Sequence, residues 1–310
     1  MPPRQPSFEV EVEPPFRLDL TVWALRRRPL NQIDRWDGVT YRRTVFLEGA
    51  PVELAITQTG GMEAPRLQVQ GSGSAFPTSL DIVRRILDRI LGLDIDLEPF
   101  YAVAAKDARL DDLAVRFRGM RPPRFPTVFE ALANGIACQQ LSLEAGLTLL
   151  NRLVATYGQA PHSLPRAGKA FPQPTSLAGE TADTLRGLGF SHSKGAALIE
   201  IASVVARREI DLDELGELAD DVLRSTLDRL RGVGRWTAEY VLLRGYGRLN
   251  VFPGDDVGAR NGLQRWLGLR QSLDYERTSS VLSRWRPYGG LIYLHLLLKY
   301  LEEKQLIAEA

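Results

Sequence analysis

The stretch that decides the fold runs from Leu230 to Ala238, LRGVGRWTA, and joins two segments of helical pattern. Its two glycines, Gly232 and Gly234, let the backbone turn sharply and expose its N–H groups. The first N–H groups of a helix have no partner within it, and the positive end of the helix dipole lies there. Such an arrangement attracts anions, and a DNA phosphate is the natural anion for this hairpin. Contacts of this kind hold the DNA backbone without reading its sequence.

The residues that follow distinguish this hairpin from an ordinary pair of helices joined by a glycine turn. A second helical segment is followed by Asn250-Val251-Phe252-Pro253-Gly254-Asp255-Asp256 and then by a new helix. A helix, a glycine hairpin, a second helix and a Gly/Pro loop ending in aspartate form the signature of the helix-hairpin-helix-GPD superfamily of DNA glycosylases, which this sequence resembles. Within that superfamily, RGVGRWTAEYVLLRG followed by VFPGDD resembles the AlkA-like branch.

The resemblance covers most of the chain. Residues 136–142, IACQQLS, resemble the loop that family members push into the DNA duplex, and 283–288 with 294–295 resemble the family's last helices. The N-terminal lobe resembles, in its architecture, the additional domain of the AlkA-like branch. The resemblance therefore implies an enzyme that flips an alkylated base out of duplex DNA and hydrolyses its glycosidic bond, as in base excision repair.

Residues 1 to about 105 have the pattern of a mixed α/β lobe. Phenylalanine and valine alternate with glutamate at 8–12, as in a half-buried strand. Similar patterns predict strands at 18–22, 41–47 and 52–56. Residues 81–91 have one apolar and one charged face, which predicts a helix that ends at Gly92.

A proline-rich connector at 121–126 leads into a region with helical pattern to the end of the chain. Thr127 with Glu130 predicts a capping box, and Ser142 is expected to cap the next helix, which stops at Gly158. Further helices are predicted near 179–187, 192–207, 219–229, 235–245, 256–267, 275–285 and 287–303.

The predicted fold class is α+β, with a small N-terminal mixed α/β lobe built on an antiparallel sheet and a two-lobed all-α helix-hairpin-helix body. We predict an N-terminal domain at 1–105 and a helical domain at 127–250, which contains the hairpin at about 219–245. Residues 106–126 plus 251–310 are expected to form the helical lobe that completes the cleft.

Composition limits the classes of protein to consider. The chain has 310 residues, 44% hydrophobic and 25% charged, the balance of a globular protein. No apolar run approaches a membrane span and no signal peptide is apparent, so we expect a cytoplasmic, nucleoid-associated protein without membrane contact. One cysteine excludes a four-cysteine iron–sulfur cluster, and His162, His192 and His295 show no metal-ligand spacing.

Local charge is more informative than the net charge of +1. Between Val222 and Arg270 nine arginines stand against four acids, an excess of five positive charges. A solvated surface would explain such a run, and the alternative is a patch that faces phosphates. The arginines are Arg224, Arg229, Arg231, Arg235, Arg244, Arg248, Arg260, Arg265 and Arg270.

Asp256 occupies the position of the family's aspartate, and the resemblance implies that it is the catalytic carboxylate. A glycosidic bond to a base breaks through an oxocarbenium-like sugar, whose charge a carboxylate beside C1′ stabilises. The same group can orient or deprotonate the attacking water. We place Asp256 as the first residue of the new helix and Asp255 as its cap, because aspartate is favoured at that position.

Trp236 and Tyr240 are four residues apart and lie on one face of a helix. Core packing would explain such a pair, but in AlkA-like enzymes the matching positions line the base pocket, where electron-rich rings attract a cationic N-alkylated purine. Bifunctional members carry a lysine where this chain has Trp236, so no lyase activity is expected. The pocket wall departs from the family at Gly289 and Leu297, which leaves the lesion range open.

The resemblance also implies the DNA contacts. The residues expected at the phosphate backbone are Gly232, Gly234, Arg235 and Thr237. The gap left by the flipped nucleotide is expected to be filled by Gln140, with Leu141 as the other candidate. In the family, hairpin carbonyls hold a monovalent cation, Na⁺ or K⁺; here those would be the carbonyls of Asp228, Leu230 and Val233. No other cofactor is expected, and the partner of the monomeric enzyme is duplex DNA with damaged bases.

Three alternatives stay open beside the alkylbase glycosylase. A glycosylase for another lesion, such as 8-oxoguanine, hypoxanthine or uracil, would share the same chemistry. A non-catalytic helix-hairpin-helix DNA-binding protein would gain nothing from Asp256, which would repel the phosphodiester. A purely structural hairpin in an unrelated helical protein would leave the agreement between several separate segments unexplained.

Overall fold

The N-terminal part of the chain forms an antiparallel sheet. The structure, a computed structural model, describes residues 6–72, 80–161 and 167–307. Five strands lie in the order β1-β5-β4-β3-β2, with bounds β1 Ser7–Glu11, β2 Arg35–Trp36, β3 Thr40–Leu47, β4 Ala50–Thr59 and β5 Arg66–Ser72. The strands predicted at 8–12, 41–47 and 52–56 are confirmed. β5 has no counterpart among the predicted strands, although Leu67 and Val69 alternate towards the core.

The strand predicted at 18–22 is wrong, because Leu18–Arg26 forms a helix, α1. Both faces of this helix are buried. One face packs in the core that contains the sheet, through Leu18, Val22 and Leu25, and the other packs in a second core, through Leu20 and Ala24. Apolar residues on both faces obscure the helical period and leave the alternation that is typical of a strand.

Helices make up most of the remaining described chain. Their bounds are α2 Leu80–Leu91, α3 Glu98–Ala104, α4 Ala108–Arg116, α5 Val128–Cys138, α6 Leu143–Tyr157, α7 Ala182–Gly187, α8 His192–Ala206, α9 Asp220–Leu227, α10 Arg235–Arg244, α11 Val257–Leu267, α12 Tyr275–Leu282 and α13 Gly289–Glu303. The α+β fold class is confirmed. α3 and α4 have no counterpart among the predicted helices, whereas α2 and the segments from α5 onward agree with the prediction to within a few residues.

Two cores hold these elements together. The first contains residues of the sheet, α2 and α5 to α10, and the second contains residues of α3, α4 and α11 to α13. α1 contributes to both. The domain boundaries near 105, 126 and 250 stay predictions. Within residues 6–72, 80–161 and 167–307, no helix has the length and apolar character needed to cross a bilayer.

A buried cluster of charges joins the sheet to α5. Arg43 on β3 donates to Asp34 and, over 2.5 Å, to the carboxylate of Glu130. The Tyr41 hydroxyl donates to the same Asp34 over 2.8 Å. The Thr127 hydroxyl accepts from the N–H of Glu130 at 3.1 Å, so the predicted cap is confirmed. The reciprocal half of the capping box is not seen, because the Glu130 carboxylate is used by Arg43.

His295 on α13 is buried between aromatic rings and gives the fold a dependence on pH. Its Nδ1–H donates to the Leu291 carbonyl over 2.8 Å, and the Phe100 ring lies 5.1 Å from the imidazole centre. Burial lowers the pKa of His295 to about 4. Between pH 6.5 and about pH 4, His295 therefore takes up a proton in the unfolded chain but not in the folded chain.

We expect this difference to destabilise the protein in acid. The contribution of neutral His295 is complete above pH 6.5 and is lost as the pH falls towards 4, and it amounts to about 3 kcal/mol. Urea unfolding at several pH values, compared with His295→Leu, measures it. The wild type should lose more free energy of unfolding than the variant over this range, and equal losses would contradict the assignment.

Candidate active site

The glycine hairpin connects α9 to α10 in the way the sequence predicts. The Val233 N–H donates to the Leu230 carbonyl over 3.0 Å and closes the turn. Gly232 has a φ of +75°, and a Cβ there would lie 2.6 Å from the Ala197 Cβ of α8, so both conformation and space require glycine. Gly234 is the N-cap of α10 and is exposed. The first N–H groups of α10 therefore begin at the surface of the molecule.

A glutamine fastens the hairpin to the loop that follows α5. Gln139 Nε2 donates to the Gly232 carbonyl over 2.7 Å and to the Thr237 hydroxyl over 2.8 Å. Thr237 is only 1% exposed. Of the four residues predicted to contact phosphate, Gly232, Gly234 and Arg235 thus lie at the surface, whereas Thr237 lies inside and supports the turn.

The two adjacent aspartates, Asp255 and Asp256, differ from the prediction at the start of α11. Asp256, not Asp255, is the N-cap of α11: its Oδ1 accepts from the Ala259 N–H over 2.9 Å. Asp255 instead accepts from Arg235 Nε over 2.6 Å. The prediction that Asp255 caps this helix is wrong. Asp256 has the extended backbone geometry of an N-cap, and it lies three positions before Ala259, from whose N–H it accepts. Val257 is the first helical residue.

Asp256 lies beside aromatic side chains from two other helices. Its Oδ2 accepts from the Tyr293 hydroxyl of α13 over 3.1 Å. Burial, and next the negative charge of Asp256, raise the pKa of Tyr293 well above its ordinary value. Tyr293 therefore stays a neutral donor to the carboxylate. The Asp256 side chain is fixed at both oxygens but remains partly exposed.

Trp236 and Tyr240 form a stacked pair on α10. Their ring centroids are 5.6 Å apart at an angle of 25°. Trp236 is half-buried and Tyr240 is buried. Burial raises the pKa of Tyr240, and the charge of Asp256 is among the further causes, so Tyr240 lies within reach of the field of that carboxylate. Trp236, stacked on Tyr240, offers a partly open aromatic face.

Two buried arginines adjoin this region, and no sequence pattern indicates their place. Arg27, after the end of α1, donates to the Tyr240 hydroxyl over 2.9 Å and to the Asn134 side-chain oxygen over 2.7 Å. Arg244 is 1% exposed, and its Cζ lies 5.3 Å from the Phe125 ring centroid. In the part of the chain that the structure describes, none of its guanidinium nitrogens has a hydrogen-bond partner.

The arginine-rich stretch does not form the continuous phosphate-facing patch that the charge count suggested as an alternative. Arg244 is buried, and Arg248 pairs with Asp220 over 3.0 Å. Arg235 and Arg260 both pair with Asp255. Arg231 pairs with Glu200 over 3.4 Å, so four of the nine arginines have a carboxylate partner. The arginines that are exposed are Arg229, Arg231, Arg235, Arg265 and Arg270.

The loop after α5 presents both residues considered for insertion into DNA. Gln140 is exposed with a φ of +52°, and Leu141 is 46% exposed. Lys194 Nζ donates to the carbonyls of Ala137 and Gln139, over 3.1 and 2.6 Å, and so fixes the base of the loop. Both side chains therefore lie at the surface, next to each other in the loop.

The hairpin carbonyls differ in their hydrogen bonds. The Leu230 carbonyl accepts from the Val233 N–H, whereas no backbone N–H in residues 6–72, 80–161 and 167–307 donates to the carbonyls of Asp228 and Val233. No group of His, Cys, Asp and Glu side chains in the described ranges could hold a metal ion. His162 lies outside the described residues.

Comparison with known proteins agrees with this geometry. Residues 133–287 match the HhH-GPD superfamily base excision DNA repair protein family, and residues 7–126 match the AlkA N-terminal domain. A DNA-3-methyladenine glycosylase of Bacillus subtilis is 33% identical over 66% of this chain and 67% of its own. DNA-3-methyladenine glycosylase 2 of Escherichia coli is 28% identical over 81% of this chain and 90% of its own.

The fold agrees equally well with a solved structure. The 3-methyladenine DNA-glycosylase from Archaeoglobus fulgidus superposes with a TM-score of 0.82 at 27% identity, over 94% of this chain and 97% of its own. The chain therefore belongs to the HhH-GPD superfamily of base excision DNA repair proteins, in the branch that carries the AlkA N-terminal domain.

Proposed function

We propose that this protein is a monofunctional DNA glycosylase that removes alkylated bases, of the 3-methyladenine type, from duplex DNA. The observation that carries the proposal is the Asp256 carboxylate, held by Tyr293 and the Ala259 N–H. It follows the glycine hairpin and α10, the helix that carries the stacked Trp236 and Tyr240. The names of the similar proteins from Bacillus subtilis, Escherichia coli and Archaeoglobus fulgidus support the same substrate class.

The chemistry follows from these positions. The hairpin N–H groups at Gly234 and Arg235 hold a phosphate, the damaged nucleotide leaves the stack, and its base lies against Trp236. As the C1′–N bond breaks, positive charge develops on the sugar and the Asp256 carboxylate stabilises it. Water attacks C1′ and gives its proton to Asp256, and the base departs with the electrons of the broken bond. Gln140 or Leu141 fills the space in the duplex.

Hydrolysis without strand cleavage is the expected outcome. A lyase needs an amine that attacks the sugar, and Trp236 occupies the position after the hairpin where bifunctional relatives carry lysine. Lys194 lies near the insertion loop, but its ammonium group donates to two backbone carbonyls. The site therefore offers water, rather than lysine, as the nucleophile.

A monovalent cation fits the hairpin. The carbonyls of Asp228, Leu230 and Val233 would hold Na⁺ or K⁺, which would add positive charge for a DNA phosphate at the turn. The protein itself supplies the phosphate-binding N–H groups, the aromatic face and the carboxylate. We propose that it acts as a monomer, since one chain carries all of these groups.

A second substrate class is favoured by one observation, the pair of buried arginines beside Tyr240. Arg27 and Arg244 place positive charge near the pocket. Such charge would repel a cationic alkylpurine and would favour a neutral base with a carbonyl acceptor, such as hypoxanthine. The aromatic face and the arginines therefore oppose each other for a cationic base.

A single-turnover assay on duplex oligonucleotides tests the proposal. Substrates would contain 3-methyladenine, 1,N6-ethenoadenine or hypoxanthine, and undamaged adenine is the control. We expect release of an alkylated base at least about 100-fold faster than of adenine, with strand breaks only after alkali treatment. Release of hypoxanthine alone would favour the second class. Strand cleavage without alkali would contradict the monofunctional mechanism. No release from any of these duplexes would contradict the alkylbase glycosylase and the second class alike.

A further inference from the structure

The loop before Asp256 is hydrogen-bonded to a buried glutamate. Glu239 on α10 is 5% exposed. One of its carboxylate oxygens, Oε2, accepts from the Gly254 N–H over 3.1 Å, and the other, Oε1, accepts from the Tyr275 hydroxyl over 2.5 Å. The glutamate thus ties the Gly/Pro loop to both α10 and α12. A carboxylate is costly to bury, which makes a purely space-filling role a poor explanation.

Tyr275 also restricts the loop by contact. A Cβ on Gly254 would lie 2.6 Å from Tyr275 Cδ2, so the ring packs directly on the glycine. The Arg235 guanidinium carbon lies 3.9 Å from the centroid of the same ring, on its face. Arg235 then donates to the Asp255 carboxylate over 2.6 Å. Two consecutive loop residues, Gly254 and Asp255, are therefore held by three side chains from outside the loop.

The ion pair has a second consequence for the site. Asp255 and Asp256 are neighbours in sequence, and two free carboxylates would compete for the developing positive charge. The hydrogen bond from Arg235, with Arg260 at 3.8 Å, compensates the charge of Asp255. Asp256 is left as the carboxylate that accepts from Tyr293.

We propose that Arg235, Glu239 and Tyr275, named here the loop clamp, are positioning residues that fix Asp256 for catalysis. This inference rests on the proposed function. The carboxylate must lie close to C1′ of a flipped nucleotide, and a displacement of about 1 Å can lower a rate by about 100-fold. The side chains of the clamp act on Gly254 and Asp255, the two residues that immediately precede Asp256. Arg235 was expected from sequence at the DNA backbone, and the clamp gives it a further role.

The test separates positioning from DNA binding and from stability. Glu239→Ala removes the hydrogen bond to the loop, and Tyr275→Phe removes the hydrogen bond that the tyrosine donates to Glu239. Glu239→Gln keeps an oxygen for the Gly254 N–H and an amide for the tyrosine oxygen. Tyr300→Phe is the matched control, since Tyr300 is a half-buried tyrosine on α13 that contacts Arg28 and lies outside the clamp. Each variant is measured for single-turnover base release, duplex affinity and melting temperature.

We expect Glu239→Ala and Tyr275→Phe to slow base release by about 10- to 100-fold, with unchanged affinity for the duplex. Glu239→Gln should recover most of the rate, and Tyr300→Phe should match the wild type. Wild-type rates in both clamp variants would overturn the proposal. So would a loss confined to affinity, or a glutamine variant as slow as the alanine variant.

A wild type that releases no base would contradict the proposed function rather than the clamp. Hydrogen exchange then decides the clamp separately, because the Gly254 N–H donates to Glu239. Residues 251–258 should exchange faster in Glu239→Ala than in the wild type and in Glu239→Gln. Equal exchange in all three proteins would overturn the clamp.

Discussion

Replacement of Asp256 by asparagine is expected to slow single-turnover base release by about 1,000-fold. Asparagine keeps the shape of the side chain, an oxygen for the Ala259 N–H and one polar partner for Tyr293. It lacks the negative charge that stabilises the oxocarbenium-like sugar, and it accepts no proton from water. The fold and the duplex affinity should therefore survive, and the chemical step should not. Base release under single-turnover conditions, together with duplex affinity, measures both.

The matched control is Asp107→Asn. Asp107 is also an aspartate at a helix N-cap, that of α4, where it accepts from the N–H groups of Arg109 and Leu110. The two variants make the same chemical change at the same type of position, and only one lies beside the aromatic pair. Asp107→Asn should release bases at the wild-type rate. If Asp256→Asn also kept a large part of that rate, the carboxylate would have no catalytic role.

The largest effect on stability is expected from Arg43→Met. Arg43 is buried and pairs with two buried carboxylates, Asp34 and Glu130. Removing one partner from a buried ion cluster leaves the other charges without compensation, which costs about 3–5 kcal/mol. Burial already raises the pKa of Glu130, and loss of the opposing charge of Arg43 should raise that pKa further. Urea unfolding near pH 7 measures the loss.

The neighbouring residue supplies the control for this variant. Arg42 pairs with Asp37 over 2.8 Å, but both side chains are exposed. Exposed ion pairs contribute at most about 1 kcal/mol, so Arg42→Met should unfold nearly as the wild type does. Equal losses of unfolding free energy in the two variants would show that the burial of the Arg43 cluster does not increase its contribution to stability.

The sequence alone determined the features that depend on near neighbours in the chain. Helix caps such as Thr127 and Ser142 bond to N–H groups three residues away, and the caps and the glycine hairpin are confirmed. The apolar and charged faces of residues 81–91 predicted α2, which buries one face. Caps and glycine stops helped to predict the helices from α5 onward, although α5 and α10 are buried on nearly every side. The hairpin and the loop ending in Asp256 indicated the family for the same reason, since their residues are close in sequence.

The tertiary structure decided the features that depend on distant partners. α1 packs against two cores, one on each face. The spacing of apolar residues at 18–22 does not show that a second core is present. Asp255 does not cap the helix but accepts a hydrogen bond from Arg235, twenty residues earlier. Arg27 reaches Tyr240 across 213 positions of the chain, and Tyr293 reaches Asp256 across 37. The sequence predicted the position of the carboxylate, because the loop that carries it is local. Its hydrogen-bonding, charged and aromatic neighbours come from other elements, and spacing along the chain does not predict how those elements pack.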